Sequence, residues 1–340
     1  MNSVIVTGGA GFIGSALVRA LLASGVERVV TLDRLTYAGT LDNLAELASD
    51  PRHVFAKLDI ADGEGVSALL RTYAPRAVLH LAAESHVDRS IDAPATFAVT
   101  NTLGTVHLLD RVLAWWRTLP SGAQSAFRFV HVSTDEVYGS LGPSGAFTEA
   151  SPYAPNSPYA ASKAAADHFV RAFHRTYGLP VVTTNCCNNY GPRQHPEKLL
   201  PRMILRALHG GALPVYGDGA NVREWLWVED HCAGLIAALE RGRVGEVYAF
   251  GGGEERTTLE VVHAVCDAVC ELADPETPPR DRVRLVSDRP GHDRRYALDS
   301  SRARAELGWA PRVRFADGLR RTVTWYLANP EWVARVSGGA

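Results

Sequence analysis

Sulfur is scarce in this chain, with five cysteines and two methionines among 340 residues. Cys186, Cys187, Cys232, Cys266 and Cys270 form an odd, sparse set. Such a set excludes a disulfide framework and reads as reduced thiols in a cytoplasmic protein. Cys266 and Cys270 stand four apart on an expected helix, but no His or Cys nearby completes a zinc pattern. Both are therefore expected in the core, and no metal site is expected. Net charge of either sign is also in short supply. A formal net charge of −2 offers no electrostatic footprint for nucleic acid or a membrane surface. No run of about 18 apolar residues suggests a membrane span. Met1-Asn2-Ser3 runs directly into Val4-Ile5-Val6 without a basic region and apolar core, so no signal peptide is expected. Internal repeats are missing too. What remains is ordinary for a folded protein: 46% apolar and 21% charged residues, long enough for one large domain or two moderate ones.

The first thirty residues carry the most specific pattern. Val4-Ile5-Val6-Thr7 is a short buried-strand pattern, followed by Gly8-Gly9-Ala10-Gly11-Phe12-Ile13-Gly14. A helix pattern starts at once, with Ile13, Ala16, Leu17, Ala20 and Leu21 at helical spacing. Val29-Val30-Thr31-Leu32 is the next strand, ending at Asp33. Gly9, Gly11 and Gly14 satisfy G-x-G-x-x-G, while Gly8, Gly11 and Gly14 satisfy G-x-x-G-x-x-G. Such glycines let the backbone turn tightly and approach a pyrophosphate at the helix N-terminus. An acid roughly 20 residues on accepts from the adenine-ribose hydroxyl. The cofactor residues read here are Gly8, Gly11, Phe12, Ile13, Gly14 and Asp33. Asp33 favours NAD over NADP because a carboxylate repels a 2′-phosphate, and Arg34 is expected in solvent.

The strand–helix alternation continues. Leu58-Asp59-Ile60 ends a strand, and Asp59, with Ile60 beside it, either meets the adenine or caps the helix of Val66, Leu69 and Leu70. Ala77 to Ala83 is a strand whose small exit residues, Ala82 and Ala83, let a cofactor lie close. In the following Glu84-Ser85-His86-Val87-Asp88, Ser85 and His86 are placed as donors to a substrate phosphate or sugar. A long helix is expected from about Pro94 to Trp116, and Trp115 and Trp116 suit a helix-packing surface or a core pair. Phe127 to Val132 is the fifth strand, and it delivers Ser133-Thr134-Asp135-Glu136. Ligands bind at such strand ends, where adjacent carboxylates cost free energy unless they have work or a partner. A second long helix begins at Ser157-Pro158-Tyr159 and runs through Tyr177. It puts Tyr159 and Lys163 on one face. A lysine ammonium and an oxidised nicotinamide both favour a phenolate, so Tyr159 can take a hydroxyl proton while hydride leaves the same carbon. Thr134 can bond that hydroxyl oxygen, and Lys163 would also hold the nicotinamide ribose.

After a sixth strand, Val181 to Thr184, the regularity breaks at Asn185. The expected fold is α/β, a doubly wound parallel sheet with a smaller C-terminal substrate-binding lobe. Residues 1–185 form the NAD-binding part, its sheet completed by a segment near 246–250. Residues 186–336 are mainly the lobe, and 337–340 a frayed tail.

The glycine turn, the strand-end Ser133-Thr134 and Tyr159-x-x-x-Lys163 resemble the extended short-chain dehydrogenase/reductase family over nearly the whole chain. That resemblance implies a Rossmann domain, a nucleotide-sugar lobe and NAD as cofactor. Three further stretches are similar to its nucleotide-sugar 4,6-dehydratases. They are Thr134-Asp135-Glu136 with Tyr138-Gly139, Ala82 to Asp88, and Cys187-Asn188-Asn189-Tyr190-Gly191-Pro192 running to Leu199. C4-epimerases of the family usually lack the Asp-Glu pair, and GDP-mannose dehydratases typically arrange their acids differently and prefer NADP. The resemblance implies dTDP-glucose as substrate, Tyr159 as base at the sugar C4 hydroxyl, Glu136 as base at C5 and Asp135 as acid at C6. It implies that Asn188, Lys198 and Leu199 contact the substrate diphosphate region, that Tyr216 lies by the base, and that Arg223, Arg289 and His292 hold phosphate. It also implies a homodimer formed through the helices near 94–116 and 157–177. Nothing in these residues reads thymine against uracil.

Overall fold

Apolar strands alternating with amphipathic helices need a sheet covered on both faces. In the computed structural model, which describes residues 3–338, that sheet forms. Its strands are β1 (Ser3–Thr7), β2 (Arg28–Asp33), β3 (His53–Lys57), β4 (Ala77–His80), β5 (Arg128–Thr134) and β6 (Val181–Cys186). Then come β7 (Asn188–Tyr190), β8 (Leu213–Tyr216), β9 (Val222–Trp227), β10 (Val247–Phe250), β11 (Glu255–Thr257) and β12 (Val283–Val286). Among the described residues the large sheet has seven strands in the order β10-β6-β5-β4-β1-β2-β3, every pair parallel. The chain winds outward from β1 to β3, then restarts on the other side at β4. This reversal opens a crevice at the carboxyl ends of β1 and β4, where ligands bind in such sheets. Thr7 pins the seam: its hydroxyl bonds His80 Nδ1 at 2.7 Å and accepts from the amides of Leu81 and Ala82.

Two long helices flank β5. The one expected over 94–116 runs as Pro94–Phe97, a π-helical turn at Ala98–Leu103, and Gly104–Trp116. Single π turns often mark functional sites. This one carries the buried Asn101, whose amide bonds both backbone groups of Glu84 and the Ser162 hydroxyl. The second helix, Pro158–Tyr177, starts as its sequence dictates. Ser157 Oγ accepts from Ala160 N at 3.1 Å, Pro158 fills the first turn, and Gly178 closes the end at φ +74°. The lobe adds a three-stranded sheet, β11-β9-β7, and the parallel pair β12-β8. Its own core gathers Tyr190, Ile204, Trp225, Val265 and Phe315.

Several expectations change. Cys266 is buried, but Cys270 is exposed, because only one of the two faces the lobe core. The helix Gly63–Tyr73 is capped by Asp62, which accepts from Gly65 N at 3.0 Å, so Asp59 is not its cap. Arg34 does not stand free in solvent: it pairs with Asp59 at 2.9 Å and Glu84 at 3.5 Å. Trp115 packs on Phe127, and the Trp116 indole donates to Gln124 O, so both serve packing within the chain. Ser337 closes the last helix, Pro330–Ser337, and so is not part of a frayed tail; Gly339 and Ala340 lie outside the described residues, as do Met1 and Asn2.

Candidate active site

The glycine turn is built for close approach. Gly8 has φ +69°, and a Cβ there would lie 2.7 Å from Ala82 N. On Gly14 a Cβ would lie 2.1 Å from Gly8 O. Both neighbours are backbone and cannot swing aside. The first amides of the helix Phe12–Ala23 therefore open directly onto the crevice, where an anion is stabilised. Asp33, at the end of β2, is buried and rigid: Oδ2 accepts from Ala10 N at 3.0 Å and Oδ1 from Leu35 N at 2.8 Å. Burial raises its pKa, and those two amides oppose the rise. The cradle and the buried acid fit an adenine dinucleotide whose ribose carries no 2′-phosphate. Gly14→Ala is expected to cost about 1–3 kcal/mol of stability, as forced volume in a packed site does, and to empty the purified protein of dinucleotide. Denaturant unfolding and cofactor content measure the two effects.

All twelve residues read as cofactor-binding line one cleft: Gly8, Gly11, Phe12, Ile13, Gly14, Asp33, Asp59, Ile60, Ala82, Ala83, Tyr159 and Lys163. Thr134, Asp135 and Glu136 line the same cleft, with Ser85, Asn188 and Lys198. At its reacting end, Thr134 closes β5 and caps a 3-10 turn, Asp135–Tyr138, by accepting from Glu136 N at 3.3 Å. Its hydroxyl donates to Asp135 Oδ1 at 3.2 Å. Asp135 Oδ2 is buried with no hydrogen-bond partner among the described residues. Burial first, then Glu136 and Glu224, pushes the Asp135 carboxyl well above the ordinary aspartate range. Burial raises Glu136 as well, but Arg223, Arg289 and Lys198 oppose it. Both acids are raised, Asp135 the more strongly, and more cations oppose the rise at Glu136 than at Asp135.

Tyr159 stands in the first turn of the second long helix and lines the same cleft. Burial, then Glu136 and Cys186, raises its pKa well above 10, while Thr134 works the other way. Desolvation and the adjacent acid set the direction of that shift in the chain alone. The Lys163 ammonium donates to Val132 O at 2.8 Å, and burial lowers its pKa against the pull of Asp167. Asp167, one helical turn on, is a buried acid that accepts from Ser133 Oγ and Tyr153 OH, each at 2.8 Å, and bonds His131 Nε2 at 2.9 Å. Sequence reading missed it, although its i, i+4 spacing from Lys163 was visible. Asn101, Glu224 and Glu197 were missed as well, since their partners come from distant segments.

The remaining substrate candidates lie further along the lobe. Lys198 Nζ donates to Ser85 O at 2.6 Å. His86 caps the helix Val87–Asp92 and faces Glu197 at 3.7 Å. Asp88 gathers two candidates, accepting from Tyr216 OH at 3.2 Å and Arg289 Nη1 at 2.9 Å. Arg223 donates to Asp293 O at 2.9 Å and lies over the Tyr296 ring at 4.3 Å. His292 Nδ1 bonds Asp288 at 2.6 Å. His86, Leu199, Tyr216, Arg223, Arg289 and His292 are not part of the cleft wall that Tyr159 and Asp135 share. Leu199 begins the helix Leu199–Leu208 and packs against the lobe core. Among the described residues no group of three or more His, Cys, Asp or Glu is arranged to hold a metal ion. No helix there is long and apolar enough to cross a membrane.

Comparison with known proteins adds to this geometry. The model of a family described as GDP-mannose 4,6 dehydratase matches residues 5–322. A dTDP-glucose 4,6-dehydratase of Xanthomonas campestris pv. campestris (strain B100) is 55% identical over 342 residues, covering 100% of this chain and 97% of that protein. DesIV, a dTDP-glucose 4,6-dehydratase from Streptomyces venezuelae solved with NAD and TYD bound, is 50% identical with a TM-score of 0.91. That match covers 98% of this chain and 99% of the other. The dTDP-glucose 4,6-dehydratase of Bacillus anthracis str. Ames, solved in complex with NAD, is 42% identical with a TM-score of 0.88, covering 99% and 100%.

Proposed function

The chain belongs to the GDP-mannose 4,6 dehydratase family, and from that premise we propose that it is an NAD-dependent dehydratase converting dTDP-glucose to dTDP-4-keto-6-deoxyglucose. The observation that carries this is the placing of Asp135 and Glu136 in one cleft with Tyr159, Lys163 and the glycine turn. The glycine turn, Asp33, Tyr159 and Lys163 would hold NAD, which would supply the hydride acceptor for sugar C4 and the donor for C6, so the cycle would have no net redox change. Tyr159 accepts the C4 hydroxyl proton, with Thr134 bonding that oxygen. The ketone acidifies the C5 hydrogen, which Glu136 removes. Asp135 protonates the departing C6 hydroxyl, water leaves, and Glu136 returns a proton to C5 as C6 is reduced. The unequal fields at the two acids support these roles. Asp135 has an unpartnered buried oxygen and a raised pKa, as an acid should; Glu136 faces three cations, as a base should. Arg223, Arg289 and Lys198 also supply the charge a diphosphate needs, and arginine suits bidentate phosphate contacts.

The dTDP-glucose assignment is supported by the names and the identity of the full-length relatives. Substrate deuterated at C4 is expected to give product labelled at C6, with loss of water seen by mass and no free NADH. Label lost to solvent, or stoichiometric NADH, would sink the proposal. A panel of dTDP-, UDP-, CDP- and GDP-hexoses tests the base preference separately.

We also propose the division into residues 1–185 and 186–336, supported by the separate lobe core, with 247–250 returned to the main sheet. A homodimer through the two long helices is supported by their exposed apolar side chains, Val99 and Leu103 on one and Phe169 and Tyr177 on the other. A cytoplasmic location is supported by five unpaired cysteines.

A further inference from the structure

We propose that the C-terminal helix Pro330–Ser337 latches the glycine turn, with Trp332 acting through Asn43 to keep NAD in place during turnover. This rests on the NAD reading above. The link is a short chain of hydrogen bonds between segments far apart in sequence. Trp332 Nε1 donates to Asn43 Oδ1 at 3.0 Å. Asn43 Nδ2 donates to Ala10 O at 2.9 Å. Ala10 N donates to Asp33 Oδ2 at 3.0 Å. One residue of the pyrophosphate turn is thus held on one side by the ribose carboxylate and on the other by an amide that the last helix orients.

Asn43 is 1% exposed and Trp332 5%, so neither bond is replaced by water when broken. Asn43 has a further partner, since Arg19 Nη1 donates to its carbonyl at 2.8 Å. Thr40 N also reaches Ala10 O, at 3.1 Å, so the segment around Leu41–Leu47 closes over the turn. Trp332 is itself held by Trp325, ring centroids 4.9 Å apart, and by Tyr326. At the surface, Arg335 pairs with Asp42 at 2.9 Å.

Retention matters for this chemistry. The hydride removed from C4 must return to C6 of the same sugar. A cofactor lost in mid-cycle would strand a ketone with no reductant. A device that slows NAD release therefore protects each turnover, although Trp332 touches neither cofactor nor substrate. It is a positioning residue.

Trp332→Phe keeps a smaller aromatic ring at the site and removes the indole donor. Bound NAD, chased with excess labelled NAD, is expected to leave this variant roughly two- to tenfold faster than wild type, the range one buried hydrogen bond allows. Turnover lost at low cofactor should return with excess NAD. In Asn43→Ala release should also be fast, and adding Trp332→Phe to it should change nothing more. A wild-type release rate in Trp332→Phe overturns the latch, even if the melting temperature falls. Additive effects in the double variant overturn the route through Asn43. Wild-type protein that neither carries nor exchanges NAD would overturn the functional reading and the latch together; normal NAD binding with an unaffected variant overturns the latch alone.

Discussion

The double variant Asp135→Asn, Glu136→Gln is expected to lose dehydration by about 10⁴-fold or more, since each acid–base group contributes about 10²–10⁴-fold. Oxidation at C4 should survive, because Tyr159, Lys163 and Thr134 remain. Reduced nicotinamide should then build up on the enzyme, seen as near-ultraviolet absorbance in a single turnover, while the sugar loses no water. The single variants separate the two roles. In Asp135→Asn the base remains, so C5 should exchange hydrogen with solvent while the C6 hydroxyl stays. In Glu136→Gln that exchange should stop. Dehydration at the wild-type rate in the double variant would remove the acids from the mechanism. The assignment rests on environment as much as on adjacency. Asp135 Oδ2 is buried and unpartnered, and an ionised carboxylate is costly there. Glu136 is only half-buried, and three cations oppose the rise in its pKa.

Tyr159→Phe should reduce turnover by about 10³-fold, within the range for a lost general base, with little change in bound NAD. The phenol needs help to ionise: burial and then Glu136 hold its pKa well above 10. Tyr159 acts as a phenolate, so C4 oxidation falls as pH drops through its pKa in the complex. Removing the negative charge at Glu136 lowers that pKa. In Glu136→Gln the acid limb of single-turnover C4 oxidation should therefore move to lower pH. An unmoved limb would mean that Glu136 is not felt by the phenol. Oxidation that survives in Tyr159→Phe would place the base elsewhere.

Much of this was legible before any coordinates. The strand–turn–helix around Gly8 to Gly14, the acid at Asp33 and the helical spacing of Tyr159 and Lys163 are local, and local periodicity records them. The placing of Thr134, Asp135 and Glu136 at the end of an apolar strand was legible for the same reason, whereas the 3-10 turn that Thr134 caps was not read. Less visible were groups whose meaning depends on who lies opposite. Asp59 read as a possible cap, but the cap is Asp62, and Asp59 faces Arg34 across the cleft mouth. Lys163 was legible on the same helical face as Tyr159, but not the bond of its ammonium to Val132 O.

Sequence alone determined the doubly wound fold, the dinucleotide turn and the inventory of acids and bases, because each is written in short-range spacing. Tertiary structure decided how far the pKa of each acid is raised, since that depends on desolvation and on Arg223, Arg289, Lys198 and Glu224, brought in from remote segments. It also decided that the last helix reaches back to Asn43, 289 residues away in the chain. No local pattern encodes such a contact; only packing of the whole lobe against the sheet creates it.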